Sequence, residues 1–210
     1  MINILLVDDH PAFRYGVKEI LQGFSQKVEV DEAGNAKAAL NCALKKEYQI
    51  AFLDISMPGR SGLDILQDLK QSTPQIKVIV HSMHAEEQYA LRALKEGASG
   101  YLPKSSRLEL YHEVLQNVLD GKTYFSAAVV NELLTMLNQP DSVAAHQLLT
   151  TRQYTIMMLI VQGKKLIEIA EELSISLSAV SNARSKILKT MNLSGNSELI
   201  RYAVKNNLIE

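Results

Sequence analysis

The chain has 210 residues, 47% of them hydrophobic and 21% charged, with a formal net charge of −1, which fits one or two soluble globular domains with a sizeable core. No apolar run approaches the ~20 residues that a membrane span needs, and Met1-Ile2-Asn3 leads into an apolar strand with neither a basic region before it nor a cleavage site after it, so neither a membrane protein nor a secreted one is expected. The single cysteine, Cys42, cannot form an internal disulfide, which suits a reducing compartment, and the expected setting is the cytoplasm.

Residues 1–122 alternate short apolar runs with stretches of helical period. Ile4–Val7, Ile50–Leu53 and Val78–Val80 are continuous apolar runs, as parallel strands buried on both faces require. Val28-Glu29-Val30-Asp31 alternates and suits an edge strand, and Gly100-Tyr101-Leu102 makes a short fifth strand. Helices are expected at about Pro11–Gln22, Asn35–Lys46, Gly62–Ser72, Glu86–Glu96 and Ser106–Leu119, with Gly97 as a left-handed cap. Five β-α units in a row predict a flavodoxin-like, doubly wound α/β domain of strand order 2-1-3-4-5. Its ligand site should lie beyond the carboxyl ends of strands one and three.

Strand one ends at Asp8-Asp9 and strand three at Asp54, so three carboxylates converge at that point, while Ser82 closes strand four and Lys104 follows strand five. Carboxylates that close repel one another and call for a cation. Oxygen-only ligation with room for waters favours Mg²⁺. The lysine and the hydroxyl complete a place for a phosphoryl group beside the ion, and one carboxylate can then act as nucleophile to form an aspartyl phosphate. Taken singly, Asp8 or Asp9 could merely cap the helix near Pro11. His10, His81 and His84 flank the pocket without metal-ligand spacing on one element and are read as structural, and Cys42 as a core residue of the second helix.

Three segments carry a resemblance: Leu5-Leu6-Val7-Asp8-Asp9-His10-Pro11, the stretch from Asp54-Ile55-Ser56-Met57-Pro58-Gly59-Arg60 to Ser61-Gly62-Leu63-Asp64, and Gly97-Ala98-Ser99-Gly100-Tyr101-Leu102-Pro103-Lys104. Through them residues 1–122 resemble the receiver domain of two-component response regulators of the NarL/FixJ branch. The resemblance implies that Asp54 is phosphorylated by a sensor histidine kinase. It also implies that Asp8, Asp9, Asp54 and the backbone carbonyl of Ser56 hold Mg²⁺, that Lys104 and Ser82 contact the phosphoryl oxygens, and that Tyr101 is an aromatic switch. Competing readings lack their signatures: strand one precedes no Gly-x-Gly-x-x-Gly, no Gly-Lys-Ser/Thr loop occurs, and a dehalogenase-type phosphatase would want an acid where Ser56 stands.

Residues 123–148 read as a linker. Ser126 can cap a helix to about Leu137, whose Val129, Val130, Leu133, Leu134 and Leu137 form an apolar stripe expected to pack on its own domain, and Asn138–Ser142 should break it. From Leu149 to the end, 8 Lys+Arg face 5 Asp+Glu, whereas the rest carries 14 against 18, so a positive module follows a negative one. Thr150-x-x-Gln153 opens the first of four helices as a capping box, and Gly163 stops it. Lys165–Leu173, the turn Ser174-Ile175-Ser176 and a helix from about Ser178 to Met191 make a helix-turn-helix, followed by Ser197–Lys205.

Leu149-Thr150-x-Arg152, Gly163 with Glu168-Ile169-Ala170-Glu171-Glu172-Leu173, Val180 with Arg184 and Ile187-Leu188, and Glu198-Leu199-Ile200 make residues 149–210 resemble the LuxR-type DNA-binding domain. The resemblance implies that Lys164, Lys165, Ser181, Asn182, Arg184, Ser185, Lys186 and Lys189 face DNA. In the recognition helix the family's Thr-Val-Lys-x-His is Ala179-Val180-Ser181-Asn182-Ala183 here, and Ile167 stands where the family has lysine. Losing a lysine weakens the counterion-release contribution to binding. The reading is a regulator of transcription rather than an enzyme, with at most self-phosphorylation from small donors and loss of the phosphoryl group. Promoter DNA is the expected partner, a homodimer forms on activation, and RNA polymerase is a further candidate partner. The alternatives are a receiver with an adaptor domain that acts through protein contacts, and a regulator independent of phosphorylation.

Overall fold

The computed structural model describes residues 1–209 apart from 25–26, 60–61, 85 and 139–143, and the side chains of 87–88 are likewise left aside. Arg60, Ser61 and the break expected at Gln139–Ser142 therefore lie outside the described residues. The chain divides into two compact units, Met1–Leu133 and Leu134–Glu210.

In the first unit, β1 (Ile2–Val7), β2 (Val28–Ala33), β3 (Ile50–Leu53), β4 (Lys77–Ser82) and β5 (Gly100–Pro103) pair in parallel in the order β2-β1-β3-β4-β5. Between and after them run α1 (Pro11–Gln22), α2 (Ala36–Lys45), α3 (Gly62–Ser72), α4 (Glu86–Lys95) and α5 (Leu108–Leu119). The apolar runs give the expected sheet because a parallel strand covered on both faces has no place for alternation. Ile4 and Leu6 of β1, Phe52 of β3 and Ile79 of β4 pack with Val17 and Leu21 of α1 and Tyr111, Val114 and Leu115 of α5. Their alternates Leu5, Leu53 and Val80, fully buried as well, point to the other face.

Two details place the site. Val7 pairs with Leu53, so the next residue on each strand, Asp8 and Asp54, leave the sheet side by side. Gly62 then brings α3 against the end of β3: a Cβ there would lie 2.0 Å from the Asp54 carbonyl oxygen, so only glycine fits.

α6 (Ala127–Asn138) starts as expected, with the Ser126 hydroxyl accepting the Val129 N–H at 3.4 Å. Its apolar stripe does not pack as expected. Val129 is buried, but Val130, Leu134 and Leu137 are 38%, 49% and 68% exposed, because a stripe needs a facing surface as well as a period. A 3-10 turn at Ala145–Leu148, without a signal in the sequence, precedes α7.

In the second unit α7 (Thr151–Val161) opens with the expected reciprocal bonds of Thr150 and Gln153. α8 (Leu166–Glu172) and α9 (Leu177–Thr190) form the helix-turn-helix, and α10 (Asn196–Lys205) closes the chain. In the turn, Ser174 adopts a left-handed φ of 50° and the Ile175 N–H bonds back to the Ala170 carbonyl. α7 packs on α8, α9 and α10, burying Tyr154, Ile169, Val180, Ile187 and Leu199.

Candidate functional site

At the carboxyl ends of β1, β3 and β5, the ammonium of Lys104 sits between two carboxylates: Nζ is 2.5 Å from Asp8 Oδ2 and 2.8 Å from Asp54 Oδ2. Asp8, Asp54 and Lys104 are all buried. Asp8, Asp9, His10 and Asp54 each offer a ligand atom within 4.8 Å of the others. Three carboxylates against one ammonium leave an excess of two negative charges in a space largely closed to water. An uncompensated buried charge is costly, and a divalent cation is the natural complement. The donor set fits Mg²⁺, which takes carboxylate and carbonyl oxygens and keeps some of its waters.

The neighbours hold these groups in place. The Asp54 N–H donates to the Val7 carbonyl at 2.9 Å, and Arg14 of α1 donates to the Asp8 carbonyl at 2.7 Å. Ser56, exposed in the loop after β3, donates its N–H to Asp54 Oδ1 at 2.9 Å. The Lys104 N–H donates to the Ser82 carbonyl at 2.7 Å, and the Phe13 ring of α1 lies under the Lys104 ammonium, 4.7 Å from centroid to Nζ. Burial pushes the Asp54 carboxyl up, and the hydrogen bonds from Lys104 and the Ser56 N–H oppose it. Burial alone would lower Lys104, but bonds to both Asp54 and Asp8 raise it, so it stays a cation. Neither acid caps α1: Asp8 Oδ1 accepts the N–H of His10, the N-cap residue, which itself makes no side-chain cap bond.

Ser82 is fully buried, and its hydroxyl accepts the His84 N–H at 3.1 Å. Tyr101 is turned inward, 1% exposed, and its hydroxyl donates to the His84 carbonyl at 2.9 Å. The His84 ring lies on Tyr89, with centroids 4.7 Å apart. Cys42 is half-buried rather than a full core residue.

Sequence reasoning missed what packs beneath the pocket. His81, one residue before Ser82, is buried among Phe13, Phe52 and Tyr111, and its Nε2 lies 2.8 Å from the Tyr111 hydroxyl. The aromatic character of positions 13 and 111 was visible, but nothing in the sequence links residues so far apart.

On the second unit the DNA-facing candidates divide. Lys165, Ser181, Asn182, Ser185, Lys186 and Lys189 are exposed. Ser178, Ser181, Asn182, Ser185 and Lys189 share one face of α9 by helical spacing. Lys164 is paired with Glu172, and half-buried Arg184 donates from Nε to Asn196 Oδ1 at 2.7 Å, tying α9 to the start of α10. No helix among the described residues is long and apolar enough to cross a membrane.

A parallel α/β unit with an acidic pocket at its switch point, in one chain with a helix-turn-helix unit, defines a class: a receiver coupled to a nucleic-acid-binding domain. The family comparisons agree. Residues 4–116 match the response regulator receiver domain, residues 147–203 match the bacterial regulatory proteins of the luxR family, and the chain belongs to the response regulators with a LuxR-type DNA-binding domain. It is 29% identical over 209 residues to the response regulator UvrY of Escherichia coli, covering 99% of this chain and 96% of that one. It is 31% identical over 208 residues to the transcriptional regulatory protein MctR of Rhizobium johnstonii, covering 99% and 95%. Among solved structures, RcsB of Salmonella enterica serovar Typhimurium bound to promoter rprA shares the fold, with a TM-score of 0.66 at 21% identity over 96% of this chain and 97% of that one.

The burial of His81 has a consequence for pH. Burial, with the nearby Lys104 charge, pushes its pKa down to about 3 from the ordinary 6.5. Between those values the unfolded chain binds the proton and the folded one does not. Stability from His81 is therefore fully present above pH 6.5 and lost as pH falls toward 3. Urea titrations from pH 7 to pH 4 should show wild type losing stability faster than His81→Phe, by up to about 1.4 kcal/mol per pH unit. Equal slopes would contradict the assignment.

Proposed function

We propose that the protein is switched by a phosphoryl group on Asp54, received from a sensor histidine kinase, and that this controls how its C-terminal domain binds promoter DNA. The observation that carries the reading is the buried Lys104 ammonium between Asp8 and Asp54 in a pocket that remains short of positive charge. A carboxylate oxygen of Asp54 attacks the donor's phosphorus, the bond to the donor's histidine nitrogen breaks, and an acyl phosphate results. Asp8, Asp9, Asp54 and the carbonyl of Ser56 would hold Mg²⁺, which would offset the charge on the phosphoryl oxygens. Lys104 and the Ser82 hydroxyl take those oxygens as ligands. The Ser82 hydroxyl can donate to a phosphoryl oxygen while it still accepts the His84 N–H, and a shift of Ser82 toward the phosphoryl group would draw on His84, whose carbonyl holds Tyr101, so Tyr101 registers the change as a switch. Self-phosphorylation from small donors and loss of the group are the only reactions assigned to the chain. Its place is the cytoplasm.

We assign residues 1–122 to the receiver, 123–148 to a linker and 149–210 to the DNA-binding domain. α9 would enter the major groove with Ser181, Asn182 and Ser185 toward the base edges and Lys165, Lys186 and Lys189 toward phosphates. Lys164 and Arg184 would join them on exchanging Glu172 and Asn196 for DNA. Activation would pair two copies on adjacent half-sites, with RNA polymerase as a further partner of the bound dimer.

Incubation with Mg²⁺ and acetyl phosphate should add one phosphoryl group by mass spectrometry, and Asp54→Asn should abolish it. Equal labelling of the mutant would show that another residue is the acceptor.

On DNA, Asn182→Ala should cost roughly 1–3 kcal/mol at the best site and relax preference at one base pair. Lys189→Ala should weaken specific and scrambled duplexes alike and reduce the salt slope by about one unit. Mobility shifts with the phosphorylated protein across salt concentrations measure both. If wild type binds no DNA even when phosphorylated, the domain acts through protein contacts instead.

A further inference from the structure

We propose that His10 is an additional ligand at the mouth of the carboxylate pocket, and that it favours first-row transition ions, with Mn²⁺ as the probe, over Mg²⁺. The inference rests on the reading of Asp8, Asp9 and Asp54 as a metal site and adds a nitrogen donor to it.

Backbone geometry sets His10 at the mouth of the pocket. His10 is the extended N-cap residue of α1, its N–H is held by Asp8 Oδ1 at 2.8 Å, and the ring of Pro11 follows at the first helical position. From there Nδ1 lies 2.9 Å from Asp9 Oδ1 and 3.4 Å from Asp8 Oδ1. Asp9 Oδ1 is shielded from solvent and takes no hydrogen bond in spite of that approach. A ring nitrogen and two carboxylate oxygens thus converge without the alignment a hydrogen bond needs. A cation shared with the ring nitrogen and Asp8 would give Asp9 Oδ1 the partner it lacks. In an octahedral ion with bonds of about 2.1 Å, adjacent ligand atoms lie about 3 Å apart, close to the 2.9 Å between Nδ1 and Asp9 Oδ1, with Asp8 Oδ1 somewhat farther at 3.4 Å.

The nitrogen also sets the preference. Mg²⁺ is a hard ion that gains little from imidazole, whereas the borderline ions of the first row accept it readily alongside carboxylates. Mn²⁺ is the hardest ion of that row and shares the octahedral habit of Mg²⁺, so it serves as the paramagnetic probe of the four donors rather than as the ion that gains most from the imidazole. The side chain of His10 is 69% exposed, so replacing it leaves the core untouched.

The test uses the full chain, freed of any polyhistidine tag, with one equivalent of Mn²⁺ and pulsed electron paramagnetic resonance. Wild type should show nitrogen modulation from one directly bonded imidazole, and His10→Ala should lose it. Mn²⁺ affinity should fall roughly tenfold in that variant while Mg²⁺ affinity changes by less than about twofold. If Mn²⁺ binds in an Asp9-dependent way but without the nitrogen signal, or if His10→Ala keeps the signal, His10 is not a ligand and the carboxylate site stands. If wild type and Asp9→Ala bind Mn²⁺ equally, the carboxylate site falls and His10 with it.

Discussion

The constraint on which the first unit depends is the confinement of like charges. β1 and β3 are neighbours in register, so their last residues, Asp8 and Asp54, emerge together at the edge of the sheet with little access to water. Two ionised carboxylates in that position repel each other, and a cation between them lets both stay charged. Lys104 supplies it from the loop after β5, across β4 from β3, with its ammonium on both acids and over the Phe13 ring. Desolvating three charged groups is expensive, and hydrophobic replacements of such clusters are often no less stable. A buried triad is therefore weak evidence for a stabilising device and stronger evidence for a site whose charge balance is meant to change.

The surroundings are arranged so that such a change is felt beyond the acids. The backbone of Lys104 is tied to that of Ser82, the Ser82 hydroxyl is tied to His84, and the carbonyl of His84 holds the Tyr101 hydroxyl. Beneath them the neutral His81 bonds Tyr111 of α5, so the end of β4 contacts α5 through a polar pair set in aromatic packing. The His81–Tyr111 contact is buried and those of His84 are partly so, and each joins an element of the sheet edge to a loop or helix. In the second unit, the surface that would meet DNA is mostly hydroxyl and amide on α9, with charge at its margins.

The sheet order and the pocket were legible in the sequence because both follow from local pattern. Continuous apolar runs mark β1, β3 and β4, and carboxylates placed just after two of them must meet once those strands are neighbours. The capping box at Thr150 and Gln153 and the tight turn at Ser174 were legible for the same reason, since they span a few residues. The contacts of His81 with Tyr111, of Lys104 with Phe13 and of Arg184 with Asn196 were not, because a pairing between distant side chains leaves no periodic trace. His10 was set aside by a search for ligand spacing along one element, whereas the group of possible ligand atoms it stands in also includes Asp54 after another strand. The stripe on α6 misled in the opposite direction: its period is real, but Val130, Leu134 and Leu137 remain exposed. Periodicity reports that a helix is two-faced and does not report what covers the apolar side.

The central claim is that the pocket needs positive charge and that Lys104 supplies only part of it. Urea unfolding of wild type and Lys104→Met, each with and without Mg²⁺, measures this directly. With the ammonium removed, the carboxylates should depend on the added ion, so Mg²⁺ should stabilise Lys104→Met by clearly more than it stabilises wild type. Equal stabilisation of the two proteins, or none in either, would mean that the acids at the sheet edge are not held by a shared requirement for a cation, and the account would fail.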